Sequence, residues 1–533
     1  MIKTMLKAGA LSVALATALG VAGGPALAQE VVYNRGNDTD PSSLDQHKTS
    51  TVAEAHILRD LYEGLVVYDN EAEVVPGAAE SWEVTEDGTV YTFKLREDAR
   101  WSNGDPVTAQ DFVFALRRIQ DPATAAGYAN ILYPIANAEA INTGDMPKEE
   151  LGARAIDDKT LEITLEQATP YFVELLTHQT GLPLHQASVE EHGDAFTRPE
   201  NIVTNGAYTL ESFVPNDRIV LRKNENFHDA ENVQIDVVNY IPFEERATCV
   251  RRFEAGEVQS CSDLPSEQID ELRARLGDQV RVAPYLGTYY LPVKTTKDVL
   301  GDPRVREAMS LAIDRVFLAE EIWQGTMVPA YSLVPPGTNN YVETPPQLSY
   351  AEDDILDRED RAKELLAEAG IEEGELTVDL RYNTSENNRN TMTAVSEMLR
   401  NIGIETTITE MEGATYFNYL REDGEFDVAR AGWIGDYNDP QNFLFLYESD
   451  NLGFNYPRWS NEEYDALMER AEQETDLQAR AEILAEAERL FLENVPAIPI
   501  LFYTSKALVS PNLEGWEDNI MNVHGTRFLS LQQ

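Results

Sequence analysis

The chain of 533 residues carries 93 Asp and Glu against 42 Lys and Arg, a formal charge of −51 at pH 7. Such a charge repels nucleic acid and anionic membrane surfaces and excludes them as partners. With 43% hydrophobic residues there is material for more than one core, so the chain reads as two or more folded domains.

The N-terminus reads as a secretory signal peptide over residues 1–28. Lys3 and Lys7 form a basic start, Ala8 to Ala22 is a run of small apolar residues, and Ala26-Leu-Ala28 offers a cleavage site before Gln29. No Cys near that site suggests a lipid anchor, and no later apolar stretch is long enough to span a bilayer. The expected location is therefore the periplasm.

Val31 to Asn34 is a short β-type run, and Ala53 to Gly64 has helical spacing through Ile57, Leu58 and Leu61. Val90 to Arg96 alternates with period two, as a strand with one covered face does. Thr108 is the expected cap of a helix from Ala109 to Arg118. Further strands are expected at Leu161–Leu165, Tyr208–Phe213 and Ile219–Leu221. A helix near Glu244–Ala255 and a strand near Val258–Cys261 each carry one of the two cysteines, Cys249 and Cys261, which read as a disulfide staple in an exported chain. Asp302-Pro303 is a helix start of the Asp-cap, Pro-first type. From about Arg361 to Ile404 the pattern is helix, strand, helix, strand, with Leu376–Leu380 a strand and Thr391–Ile402 an amphipathic helix. A long helix over Leu477–Leu492 and a β-type run over Asn494–Phe502 complete a mixed α/β chain.

Catalytic signatures are absent. There is no Gly-x-Ser-x-Gly, no His-Glu-x-x-His and no phosphate- or dinucleotide-binding glycine loop, and the seven His are scattered. No cofactor is implied, and the chain is not expected to be an enzyme; an exported hydrolase is the weaker alternative. The segment Ala431-Gly-Trp-Ile-Gly-Asp-Tyr-Asn-Asp-Pro440 instead places Asp436 among aromatic and turn-forming residues. A carboxylate held there needs a cationic partner, from the chain or from a ligand.

That segment, with Phe426-Asp-Val-Ala-Arg430 before it, resembles the oligopeptide-binding branch of the ABC-transporter solute-binding proteins. Pro76-Gly-Ala-Ala-Glu-Ser-Trp82, Trp101-Ser-Asn-Gly-Asp-Pro106, Asn205-Gly-Ala-Tyr208 and Tyr285-Leu-Gly-Thr-Tyr-Tyr290 continue the resemblance in family order over essentially all the mature chain. It implies a bilobal periplasmic-binding-protein fold with an inserted third domain. The first lobe would comprise 29–62, 188–286 and 503–533, the inserted domain 63–187 and the third lobe 287–502. The implied function is capture of oligopeptides by hinge closure and delivery to the permease subunits of an ABC importer, as a monomer. A murein peptide or another amine-bearing solute is the alternative cargo.

Carried over residue by residue, the resemblance makes Asp436 the acceptor of a ligand α-ammonium group. Arg421 and Arg430 are the arginines near the site, Asn383 belongs to the wall, and Tyr128, Tyr285 and Trp433 are wall aromatics. An internal salt bridge competes with a ligand role at both arginines, and core packing competes at Tyr128 and Tyr285. The chain also departs from the pattern. Basic residues that meet peptide C-termini in relatives stand here as Trp323 and Asn388, a wall tryptophan as Ala414, and an acidic residue as Ser50. Two cysteines that pair in relatives stand as Gly287 and Ile434.

Overall fold

The computed structural model describes residues 30–243 and 245–532; the expected signal peptide over 1–28 lies outside the described residues, as do Gln29, Glu244 and Gln533. The fold is mixed α/β, organised on one large sheet of nine strands among the described residues. Across that sheet the order is Ala431–Ile434, Val280–Pro292, Ala497–Val509, Ser260–Cys261, Val32–Asn37, Val237–Pro242, Arg218–Lys223 and Tyr208–Val214, with Met327–Pro329 paired to Ala497–Val509 as a branch.

Two of these strands, Val280–Pro292 and Ala497–Val509, are thirteen residues long and antiparallel. Their register runs from Val280 opposite Leu508 to Pro292 opposite Ala497, broken between Pro284 and Thr288. One end of this pair meets Ser260–Cys261, and the other end carries Ala431–Ile434. The pair therefore joins the two halves of the molecule. Ala497–Val509 continues well beyond the expected Phe502 because its second half stays paired with the first half of its partner, from Thr504 opposite Pro284 to Leu508 opposite Val280.

A four-stranded antiparallel sheet of Ala79–Val84, Val90–Leu95, Thr160–Thr164 and Ala153–Asp157 packs on the helix Ala109–Gln120. That helix starts as expected, with Asp111 accepting from both the N–H and the hydroxyl of Thr108 at 2.8 and 2.9 Å. A parallel three-stranded sheet, Glu405–Met411, Thr377–Asn383 and Val428–Ala429, packs on the helix Glu386–Asn401. This helix begins earlier than the expected Thr391 because Ser385 caps it, accepting from Asn388 N–H.

Burial divides the apolar side chains into two large cores. One runs from Ile57 and Leu58 through Phe93, Trp101 and Phe112 to Tyr208 and Leu221. The other holds Met309, Leu380, Val395, Tyr447, Phe491 and Ile500. A small third core surrounds the disulfide between Cys249 and Cys261, which ties the helix Arg246–Glu254 to the strand Ser260–Cys261. Gly36 lies against this bridge: a Cβ there would stand 2.5 Å from Cys249 Sγ and 2.9 Å from the Ser260 carbonyl, so glycine lets the strand approach.

Candidate ligand-binding site

The strand Ala431–Ile434 is an edge of the large sheet, paired with Val280–Pro292 through Gly287 opposite Ile434 and Thr288 opposite Trp433. Side chains alternate along it. Trp433 points to one face, where its indole N–H donates to Asn442 Oδ1 at 2.7 Å and its ring meets Phe454 and Phe445 edge-on at 5.1 and 5.7 Å. Gly432 presents the other face, where an added Cβ would collide with the Tyr503 hydroxyl beside the Arg430 guanidinium. At Gly287, a Cβ would stand 2.5 Å from Ile434 Cδ1, so the isoleucine occupies the space where the resemblance had placed a second cysteine.

The chain leaves the strand at Gly435, whose N–H donates to the Leu286 carbonyl at 2.7 Å, and turns through Asp436 to Pro440. Asp439 fixes the turn. Both its oxygens accept from Arg480 at 2.8 Å in a buried bidentate pair, and Oδ1 also accepts from Gln441 N–H at 3.0 Å. Asn442 donates to the Tyr437 carbonyl at 3.1 Å, and the Tyr437 hydroxyl donates to Gln441 at 2.5 Å. Tyr437 stacks face to face on Tyr171, with ring centroids 5.4 Å apart. The loop is thus held from both sides of the cleft.

Within this satisfied loop Asp436 stands apart. It is half-buried, and burial alone pushes its carboxyl up to about 6. No cation among the described residues offsets that burial. The carboxylate opens on a cavity of about 490 Å³ lined by Tyr128, Tyr171, Arg421, Trp433, Tyr437 and Phe454, among others. Asp436 is the largest influence on the Tyr128 phenol, which it raises, and Tyr128 stacks on His178 at 5.5 Å. Tyr285 is pushed to about 12, chiefly by burial, with Arg59 opposing and Asp436 adding to the shift.

The seven expected site residues fall into two groups. Asp436, Trp433, Tyr128 and Arg421 share the cavity, with Tyr285 close to Asp436. Arg421 is exposed, donates to Asn418 at 3.1 Å and lies 5.8 Å from the Phe454 ring centre. Arg430 and Asn383 form a second cluster on the opposite face of the strand. Arg430 donates to the Tyr503 hydroxyl at 2.7 Å and to Asn383 at 3.3 Å, and its guanidinium lies 4.6 Å from the Tyr289 ring centre. Neither arginine forms an ion pair among the described residues; the partners of Arg430 are neutral, and its Nε is sealed without an acceptor.

Trp323 and Asn388 complete this second cluster. Asn388 donates to Asn383 Oδ1 at 3.0 Å and accepts from the Tyr289 hydroxyl at 3.3 Å, while Trp323 meets Tyr289 edge-on at 5.9 Å. At this end of the cleft, where the resemblance placed basic residues, the chain presents neutral side chains around Arg430. Sequence reasoning missed Tyr171, Asn442, Phe445 and Phe454. Asn442, Phe445 and Phe454 follow Asp436 closely in the chain, but Tyr171 comes from a distant segment and has no local signal. Among the described residues no group of three or more His, Cys, Asp or Glu is arranged to hold a metal, and no helix is long and apolar enough to cross a membrane.

Comparison with known proteins places this geometry in context. Residues 73–454 match the family described as bacterial extracellular solute-binding proteins, family 5 Middle. The periplasmic oligopeptide-binding protein OppA of Salmonella typhimurium is 38% identical over 98% of this chain and 97% of its own. Among solved structures, the unliganded open form of the periplasmic murein tripeptide-binding protein MppA superposes with a TM-score of 0.86 at 34% identity, covering 95% of this chain and 98% of that one. Haemophilus influenzae OppA in complex with RPPGFSPFR gives 0.76 at 35% identity, with 95% and 99% covered.

Proposed function

We propose, from the premise that this chain belongs to the bacterial extracellular solute-binding proteins of family 5, that it captures peptides bearing a free amino group and delivers them to an ABC importer. It is a binding protein and not an enzyme. The observation that carries the peptide reading is Asp436: a carboxylate without a partner among the described residues, raised by burial, in an aromatic-walled cavity. A ligand ammonium group supplies the missing counter-charge, and charge-assisted hydrogen bonds of that kind are the strong ones. The outer edge of Ala431–Ile434, the last strand of the large sheet, offers main-chain groups to an extended ligand, which suits peptides of varied sequence.

In this reading the lobes are 29–62, 188–286 and 503–533 for the first, 63–187 for the inserted domain and 287–502 for the third. The paired strands Val280–Pro292 and Ala497–Val509 are the hinge, with the register break after Pro284 as its soft point. The better superposition on an unliganded open relative than on a peptide complex, at nearly equal identity, is what an open cleft gives. The protein works as a monomer in the periplasm, exported by residues 1–28, and its closed form is what the permease subunits recognise.

A second cargo is favoured by one observation. Trp323 and Asn388 leave the second cluster with Arg430 as its cation, so the ligand carboxylate need not lie where a linear peptide of fixed length would put it. A branched or modified peptide such as a murein fragment fits that arrangement, and one relative is named for such a ligand. Native mass spectrometry of protein purified gently from the periplasm separates the two. A ladder of short peptides is the expected result; a single modified-peptide mass selects the second cargo, and a ligand without an amino group overturns the assignment to Asp436.

A further inference from the structure

A groove outside the ligand cavity is bounded by three helical elements. They are the helix Arg315–Phe317 with the π-helical turn Leu318–Ile322 that continues it, the helix Ile355–Glu368 and the helix Glu386–Asn401. One corner locks them together: Arg358 Nη1 donates to the Ile313 carbonyl at 3.4 Å, and Asp314 N–H donates to Met398 Sδ at 3.4 Å. Asp314 also caps the first helix, accepting from Phe317 N–H at 3.0 Å. The groove measures about 520 Å³, and Phe317, Ile322, Ile355, Ala394 and Met398 form its apolar floor. Phe317 is itself exposed, as are its neighbour Val316 and Leu356 beside Ile355. A contiguous apolar surface holding an aromatic ring and a methionine is the composition of a protein-binding face. The π-helical turn is a rare conformation that concentrates at functional sites.

Charge narrows the partner. Asp314, Glu359 and Glu397 line the groove, no Lys or Arg lines it among the described residues, and Glu320 and Glu321 are exposed on the π-helical turn. A second copy of this chain, at −51, would meet these carboxylates with like charge, and so would an anionic membrane surface. A segment with an apolar tip and Lys or Arg around it is complementary in both respects. Two of the bounding elements also reach the Arg430 cluster. Trp323 follows the π-helical turn directly, and its ring stands edge-on to Tyr289. The helix Glu386–Asn401 turns Ala394, Glu397 and Met398 to the groove, while its Thr391 accepts from the Trp323 indole at 3.0 Å and its Asn388 donates to Asn383. We propose that this groove is the docking site for a cationic, apolar-tipped segment of the importer's permease subunits. The proposal rests on the reading of this chain as the receptor of an ABC importer, and it gives that delivery step a surface. Docking there bears on the same two elements that carry Trp323, Asn388 and Thr391.

The test pairs transport with binding. Cells of the source organism lacking this gene receive wild type, Phe317→Asp, the double variant Glu359→Lys with Glu397→Lys, or Val214→Asp, and uptake of labelled tri-alanine is measured. Val214 is exposed on the strand at the opposite edge of the large sheet and serves as the control. Calorimetry and sedimentation of the purified proteins give the affinity for tri-alanine and the oligomeric state. Phe317→Asp and the double variant should each lower uptake about tenfold or more, with affinity within about twofold of wild type. Val214→Asp should transport as wild type does. Uptake at the wild-type rate in either groove variant overturns the proposal, as does an equal loss in Val214→Asp or a loss that tracks weakened affinity. A wild-type dimer that Phe317→Asp dissociates assigns the groove to a second copy and overturns it too. Should Phe317→Asp fail to accumulate, Phe317→Ser carries the same comparison. If wild type does not restore uptake, the importer reading itself falls and this inference with it, while tri-alanine binding shows whether the peptide reading survives.

Discussion

At the scale of single residues, binding depends on which charges lack a partner among the described residues. Asp439 and Asp436 are three positions apart, yet Asp439 has Arg480 on both oxygens while Asp436 has burial and no partner among the described residues. Asp436 titrates at about 6 against the ordinary 3.8. A raised acid binds its proton more tightly in the folded state, so the empty protein loses stability as pH rises from about 4 to 6. Ligand binding has the opposite requirement, because an ammonium group needs the ionised carboxylate. Affinity for a free-amine peptide should therefore fall about five- to tenfold per pH unit below 6, with proton release on binding near pH 5. Affinity for the N-acetylated peptide should stay flat, and titration calorimetry between pH 5 and 7 reads both. A flat profile for the free-amine peptide would contradict the assignment. The sequence, through its resemblance, identified Asp436, Trp433, Tyr128 and Arg421 as neighbours. It did not separate them from Arg430 and Asn383, because only the alternation of a strand not expected at 431–434 sends Arg430 and Trp433 to opposite faces.

At the scale of elements, legibility followed the amount of exposed face. Val90–Leu95 has one covered face and alternates, and Ala109–Gln120 has its cap and its apolar stripe, so both were readable close to their ends. The strand Val280–Pro292 carries no such signal. Its second half is buried on both faces and it contains Pro284, Gly287 and Pro292, so neither alternation nor composition marks a strand. Local context was enough for the disulfide, which closes a loop between residues twelve apart. A loop of that size gives a stabilisation of about 2–3 kcal/mol. The double variant Cys249→Ala with Cys261→Ala should unfold at correspondingly lower urea, while peptide affinity stays within about twofold of wild type. The bridge lies in its own small core, away from the cavity. An unchanged midpoint, or a large loss of affinity, would show that this element does something other than staple.

At the scale of the whole molecule, two large cores share one pair of long strands, and the proposed closure would turn on that pair. The Tyr171–Tyr437 stack and the Arg480 guanidinium, 5.2 Å from the Tyr171 ring centre, connect the segment around Tyr171 to the Asp436 loop beside the cavity. A ligand favours closure only by contacts it makes better in the closed state than in the open one. The largest such contact we propose is the pairing of a ligand ammonium with Asp436. Small-angle scattering tests that link directly, by comparing the radius of gyration with no ligand, with a free-amine peptide and with its N-acetylated twin at matched concentration. The predicted result is contraction of wild type by the free-amine peptide and not by the acetylated one, and no contraction of Asp436→Asn by either. Equal contraction with both peptides, or contraction of Asp436→Asn by the free-amine peptide, would contradict the account.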